Sequence, residues 1–123
     1  MAGGASPARV LVVEDDPTVG PLIVTILEAA GYFTVLTSSF KSAVAAADES
    51  EFDLVLCDLV LGAQDGHDVS DTLRARKPRL PVVFMSGYGG SRYGQDPSDP
   101  VLAKPFIAAE LVARIEKALA TRD

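Results

Sequence analysis

The chain has 123 residues, 48% of them hydrophobic, enough for one compact domain with a single core and little more. A formal net charge of -6 and a pI near 4.6 exclude the broad basic surface that binds nucleic acid backbones, so no direct contact with DNA is expected. No apolar stretch approaches the roughly 20 residues that span a bilayer, and the single cysteine, Cys57, cannot form an internal disulfide. Both features point to a cytoplasmic protein that does not enter membranes, with Cys57 as a buried strand residue.

The first eight residues, "MAGGASPA", lack periodicity and read as a flexible leader before one domain over residues 9–121, with no output domain attached. An apolar, β-branched run predicts a strand near Arg9–Val13, which ends abruptly in Glu14, Asp15 and Asp16. Val19, Leu22, Ile23, Ile26, Leu27 and Ala30 then recur at helical spacing. Asp16 is the expected N-cap, Pro17 lies near the first helical position, and Gly31 closes the helix; Pro21 is expected to disturb its first turn. Strands follow near Thr34–Leu36 and Leu54–Asp58, separated by an alanine-rich helix at about Phe40–Asp48. A third helix, about Val69–Lys77, is stopped by Pro78, and Val82–Met85 makes a fourth strand. The next stretch, "GYGGSRYGQDPSDP", is too rich in glycine and proline for more than a short or irregular fourth helix. Val101–Ala103 forms the fifth strand, and a last helix over Ile107–Thr121 buries Leu111, Ile115 and Leu119. Apolar strands alternating with helices imply a doubly wound α/β sandwich: a parallel sheet covered on both faces and joined by right-handed crossovers.

In such a sheet, ligands bind beyond the carboxyl ends of the strands at a topological switch point. Polar residues gather there: Glu14 and Asp15 after the first strand, Asp58 at the end of "FDLVLCD", Ser86 in "PVVFMSG" and Lys104 in "VLAKPF". Two carboxylates roughly 4 Å apart repel by on the order of 4 kcal/mol at an effective dielectric of about 20. A divalent cation would join what otherwise repels.

Four motifs in order, "VLVVEDDP", "DLVLCDLVLGAQDG", "VVFMSGYG" and "AKPF", closely resemble the receiver domains of two-component response regulators and hybrid histidine kinases, over about Arg9 to Ala120. The resemblance implies a flavodoxin-like (βα)5 fold with strand order 2-1-3-4-5, and Asp58 as the phosphoacceptor. It also implies a Mg²⁺ ion held by Asp15, Asp58 and the Val60 backbone carbonyl, with Glu14 acting directly or through water. These hard oxygen donors suit that ion. Ser86 and Lys104 would contact phosphoryl oxygens, and the Lys104–Pro105 peptide is expected to be cis. The expected partners are a histidine kinase or a histidine phosphotransfer protein, docked on the exposed side of the first helix around Gly20 and Val24.

Receivers with an attached output commonly carry an aromatic three residues before the lysine. Here that residue is Val101, which has no ring to swing, and a monomer is the expected state. Gly62 stands where many receivers have proline. Val60 and Tyr88 carry no acid or amide group to orient a hydrolytic water, so slow self-dephosphorylation is expected. His67 reads as a surface loop residue, Asp65 as a turn former before Gly66, and "RARK" at Arg74 to Lys77 as a solvated helix end. A receiver-like module that works without phosphorylation is the alternative function. A phosphatase acting through Asp58 would need an acid/base and a substrate cap, and neither is visible in this length.

Overall fold

Strands that are apolar at every position need cover on both faces, and the arrangement of the helices supplies it. The computed structural model describes residues 7–61, 64–87 and 101–121. In chain order these form β1 (Arg9–Val13), α1 (Val19–Ala29), β2 (Phe33–Thr37), α2 (Phe40–Glu49), β3 (Leu54–Asp58), β4 (Val60–Leu61), β5 (Gln64–Asp65), α3 (Gly66–Arg76), β6 (Val82–Ser86), β7 (Val101–Ala103) and α4 (Ala108–Thr121). Five strands pair in parallel in the order β2-β1-β3-β6-β7, which is the expected 2-1-3-4-5 order with the small β4–β5 hairpin set aside. The expected short fourth helix falls at residues 88–100 and, like Tyr88, Gly62 and most of the leader, lies outside the described residues.

Alternate side chains divide the core. Leu11, Val13, Val55, Cys57 and Phe84 pack with Ala43, Ala47, Val69 and Leu73 of α2 and α3. Val10, Val12, Leu54, Leu56 and Met85 pack on the opposite face with Ile23, Leu27, Leu111 and Ile115 of α1 and α4. Removing one of these side chains, as in Leu56→Ala, costs about 2–5 kcal/mol. The chain leaves β1 toward one sheet edge and β3 toward the other, so the switch point lies between their carboxyl ends.

Helix ends follow local chemistry. Asp16 Oδ1 accepts from the N–H groups of Thr18 (2.8 Å) and Val19 (3.1 Å), and its carbonyl accepts from Gly20 (3.1 Å), so it caps α1 as expected. At the other end Gly31 adopts φ 96°, and Tyr32 N–H returns to the Leu27 carbonyl while Gly31 N–H returns to Glu28. That is a Schellman closure, which needs the left-handed residue that glycine supplies. Ser39 and Ser42 cap α2 reciprocally.

Three expectations are corrected. α3 begins at Gly66, not Val69, so His67 lies in a helical first turn, exposed, with its ring 4.9 Å from that of Phe84. Asp68 favours that early start by complementing the helix dipole. Residues after Asp58 fold into the β4–β5 hairpin, pairing Val60 with Asp65 and Leu61 with Gln64. Gly20 is not on the exposed side of α1: it is buried, and a Cβ there would sit 3.1 Å from Leu36 of β2. The outward residues near it are Pro21, Leu22 and Thr25.

Candidate functional site

β1 and β3 end side by side, so their terminal carboxylates meet. Glu14 extends the β1–β2 ladder by one step, its N–H donating to the Thr37 carbonyl at 2.9 Å, and it is only 2% exposed. Its Oε2 accepts from Asp16 N–H at 3.2 Å. Asp15 stands exposed beside it. Asp58 closes β3, buried, with Oδ1 accepting from Val60 N–H at 3.1 Å. Carboxylate oxygens of Glu14, Asp15 and Asp58 all lie within 4.8 Å of one another.

Two further strands bring the remaining polar groups. Ser86 ends β6, buried, and its carbonyl accepts from Lys104 N–H at 2.7 Å, which carries the β6–β7 pairing past the last strand residue. Lys104 thus leaves β7 facing the acidic cluster, its peptide bond to Pro105 is cis, and Nζ reaches Glu14 Oε1 at 2.6 Å and Asp58 Oδ2 at 2.8 Å. Every residue expected at the site therefore sits at the same end of the sheet. The sequence did not reveal that Lys104 spans both carboxylates, since the contact with Glu14 joins residues 90 positions apart. Gly66, read as a turn glycine after Asp65, lies against the Asp58 backbone.

Three carboxylates gather near the Lys104 ammonium, those of Glu14 and Asp58 buried and that of Asp15 exposed. Burial raises the Glu14 pKa above 4.5, helped by the Asp58 carboxylate, while Lys104 and the Asp16 N–H pull against that rise. Burial alone would lower the Lys104 pKa, but its hydrogen bonds to Asp58 and Glu14 outweigh that effect and lift it, so the ammonium form persists. Ligand oxygens around an octahedral Mg²⁺, each about 2.1 Å from the ion, are roughly 3–4.2 Å apart. A cluster spread within 4.8 Å thus fits a small hard cation after slight closure, or with water completing one side. An open groove of about 430 Å³ adjoins the cluster, lined by Glu14, Asp15, Pro17, Leu36, Thr37 and Ser38 among others.

Known proteins resemble this chain in sequence and fold. The response regulator receiver domain family matches residues 10–116. Response regulator receiver protein CpdR of Brucella abortus is 33% identical over 115 residues, covering 90% of this chain and 96% of that protein. Transcriptional regulatory protein TcrA of Mycobacterium tuberculosis is 35% identical over 124 residues, and the match covers 98% of this chain but 49% of TcrA. The crystal structure of NtrX from Brucella abortus superposes with a TM-score of 0.85 at 32% identity, covering 94% of this chain and 27% of NtrX. This chain therefore corresponds to nearly all of CpdR, about half of TcrA and about a quarter of NtrX. With the parallel sheet in the expected order and the acidic cluster at its switch point, the chain belongs to the response regulator receiver domain family, the phosphoryl-accepting modules of two-component signalling.

Proposed function

We propose that Asp58 takes a phosphoryl group from a phosphohistidine of a histidine kinase or histidine phosphotransfer protein in a Mg²⁺-dependent reaction. The observation that carries this reading is a buried carboxylate at a strand end, grouped with Glu14 and Asp15 and 2.8 Å from an ammonium. An Asp58 oxygen attacks phosphorus as the P–N bond to the donor imidazole breaks, and the ring, already protonated on its other nitrogen, leaves as neutral histidine. Asp15, Asp58 and the Val60 carbonyl would hold the metal, with Glu14 direct or through water, and the bound ion would neutralise charge on the transferring group. Ser86 donates its hydroxyl to one phosphoryl oxygen. Lys104 exchanges a carboxylate oxygen for another.

Exposed apolar side chains flank this end of the fold: Leu22 (54%) on α1, Leu36 (39%) on β2 and Ile107 (65%) before α4. They suit the helical face of a donor protein better than a basic or lipid surface. No helix among the described residues is long and apolar enough to cross a membrane. We read the chain as a cytoplasmic monomer. Val60, exposed and apolar beside Asp58, orients no water, which supports a long-lived acyl phosphate; Val60→Asn should shorten it, and an unchanged half-life would remove this part of the reading.

Intact mass after incubation with acetyl phosphate and Mg²⁺ tests the whole. One added phosphoryl group is expected, absent with EDTA and absent from Asp58→Asn. No gain where calorimetry shows Mg²⁺ bound would favour a module that acts without phosphorylation.

A further inference from the structure

Resting on that reading, we propose that Gly66 is a positioning residue for phosphoryl transfer: by having no side chain it lets the start of α3 press on the Asp58 backbone and fix the nucleophile and the metal-facing turn. An ideal Cβ at Gly66 would lie 2.2 Å from the Asp58 carbonyl oxygen, 2.9 Å from the Leu59 Cα and 3.0 Å from the Asp58 carbonyl carbon. All three are backbone atoms, so no flexible side chain can swing aside. Gly66 is not at a positive φ. Its requirement is closeness, not conformation.

The contact belongs to a closed frame around Asp58. Gly66 N–H donates to the Leu59 carbonyl at 2.8 Å, which clamps the two ends of the β4–β5 hairpin together. On the other side Leu59 N–H donates to the Met85 carbonyl at 2.9 Å, tying the same residue to β6. Asp58 and Leu59 are thus held between β6 and Gly66, and Asp58 Oδ1 is set by the Val60 N–H that this turn presents. A methyl group at residue 66 must push residues 58–60 away by roughly 1 Å to reach ordinary contact, and a misplacement of about 1 Å can cost on the order of 10²-fold in rate. The shift would fall on both the attacking carboxylate and the carbonyl proposed for a metal that tolerates little departure from octahedral geometry.

Gly66→Ala tests this against Ala47→Gly, a helix-interior substitution in α2 that lowers stability away from the site. Far-UV circular dichroism and thermal melting establish folding; calorimetry gives Mg²⁺ affinity, and intact mass against acetyl phosphate concentration gives the rate. We expect Gly66→Ala, folded, to bind Mg²⁺ at least tenfold more weakly and to gain its phosphoryl group about 100-fold more slowly. Ala47→Gly should keep both within about threefold at the same fraction folded, because nothing near Asp58 moves. A folded Gly66→Ala that works within threefold of wild type, or an Ala47→Gly that loses as much, overturns the proposal. Should Gly66→Ala fail to fold, amide shifts of the wild type during a Mg²⁺ titration decide: Gly66 should move with the midpoint of Asp58 while Gly31, at the opposite end of the sheet, stays still. A Gly66 amide that is unmoved at saturation overturns it equally. Failure of the wild type to accept phosphoryl would instead remove the functional reading beneath.

Discussion

The two ends of the sheet are both rich in charge, and they treat it differently. At the amino ends of the strands, Arg9 lays its guanidinium 4.3 Å from the Phe33 ring centroid and 5.4 Å from that of Phe52, while Nε donates to the Glu51 carbonyl at 2.9 Å. Arg9 N–H donates to Asp53 Oδ2 at 2.7 Å. Lys77 Nζ meets Glu51 Oε2 at 3.0 Å and also the Ala47 carbonyl, so it finishes α2 as a cation at a helix carboxyl end. Cations and carboxylates alternate there. At the carboxyl ends, the buried carboxylates of Glu14 and Asp58 share the Lys104 ammonium, with the Asp15 carboxylate beside them, and burial raises the Glu14 pKa. A groove of about 640 Å³, walled by Phe52, Asp53, Lys77, Arg79 and Leu80 among others, lies at the amino ends of the strands. The clustered carboxylates, not this groove, mark the chemistry.

Neutralising the acidic cluster should produce the largest change. Glu14→Gln combined with Asp15→Asn removes two charges within a few ångströms of the proposed metal. At about 4 kcal/mol per close pair before desolvation is subtracted, Mg²⁺ affinity should fall roughly 100-fold or more. Glu51→Gln with Asp53→Asn removes the same formal charge at the other end and should leave Mg²⁺ affinity within about twofold, since the distance exceeds a Debye length of roughly 8–10 Å. Calorimetric titration of both double variants breaks the comparison if they weaken equally.

Lys104→Met sharpens it from the opposite sign. Without the ammonium the buried Glu14 and Asp58 carboxylates lose their shared cation, and loss of one partner from a buried pair costs about 3–5 kcal/mol. Because Lys104 remains 19% exposed, water softens that figure, and about 2 kcal/mol is expected in EDTA. Added Mg²⁺ should restore part of the loss and bind more tightly than to wild type, while phosphoryl uptake falls. Urea unfolding with and without the ion measures this; equal destabilisation in both conditions would mean that metal and lysine do not share these carboxylates. At the amino ends of the strands, Arg9→Ala forfeits a cation–π contact worth about 0.5–1 kcal/mol and a backbone hydrogen bond. A stability loss of about 1–2 kcal/mol with unchanged phosphorylation is expected.

How much of this was readable before folding depends on range. The five sheet strands were legible because runs such as "VLVV" and "LVLC" lack polar interruption, and their order followed from the family resemblance. Asp16 and Gly31 were legible as helix boundaries because capping acts over two to four residues. The expected site residues were also found at one end of the sheet, since each follows a strand. What could not be read was set by neighbours far along the chain. Gly20 faces inward because Leu36 of β2 occupies that side of α1. The β4–β5 hairpin rests on a pairing of only two residue pairs, below any period a sequence can display. Gly66 looked like half of an ordinary Asp-Gly turn, because a close approach to Asp58 leaves no mark except the absence of a side chain.

Asp16 supplies the smallest expected effect and the finest division of the acidic run. It sits next to Asp15 in sequence yet serves the helix: Thr18 and Val19 N–H groups hold its pKa below 3.8. A carboxylate whose folded pKa is depressed contributes stability that is fully present above its unfolded value and is lost as pH falls through the folded one. Asp16→Ala should therefore melt a few degrees below wild type at pH 7, with the gap closing as pH falls beneath 3.8 toward the folded pKa. Asp16→Asn keeps an acceptor at the cap and should lose less. Both variants should accept phosphoryl at the wild-type rate, because the metal-facing carboxylates are Glu14, Asp15 and Asp58. A melting gap that stays constant from pH 7 to acid would show that the charge on Asp16 does not matter to the helix. A loss of phosphoryl transfer would move Asp16 across the boundary and into the metal-facing cluster.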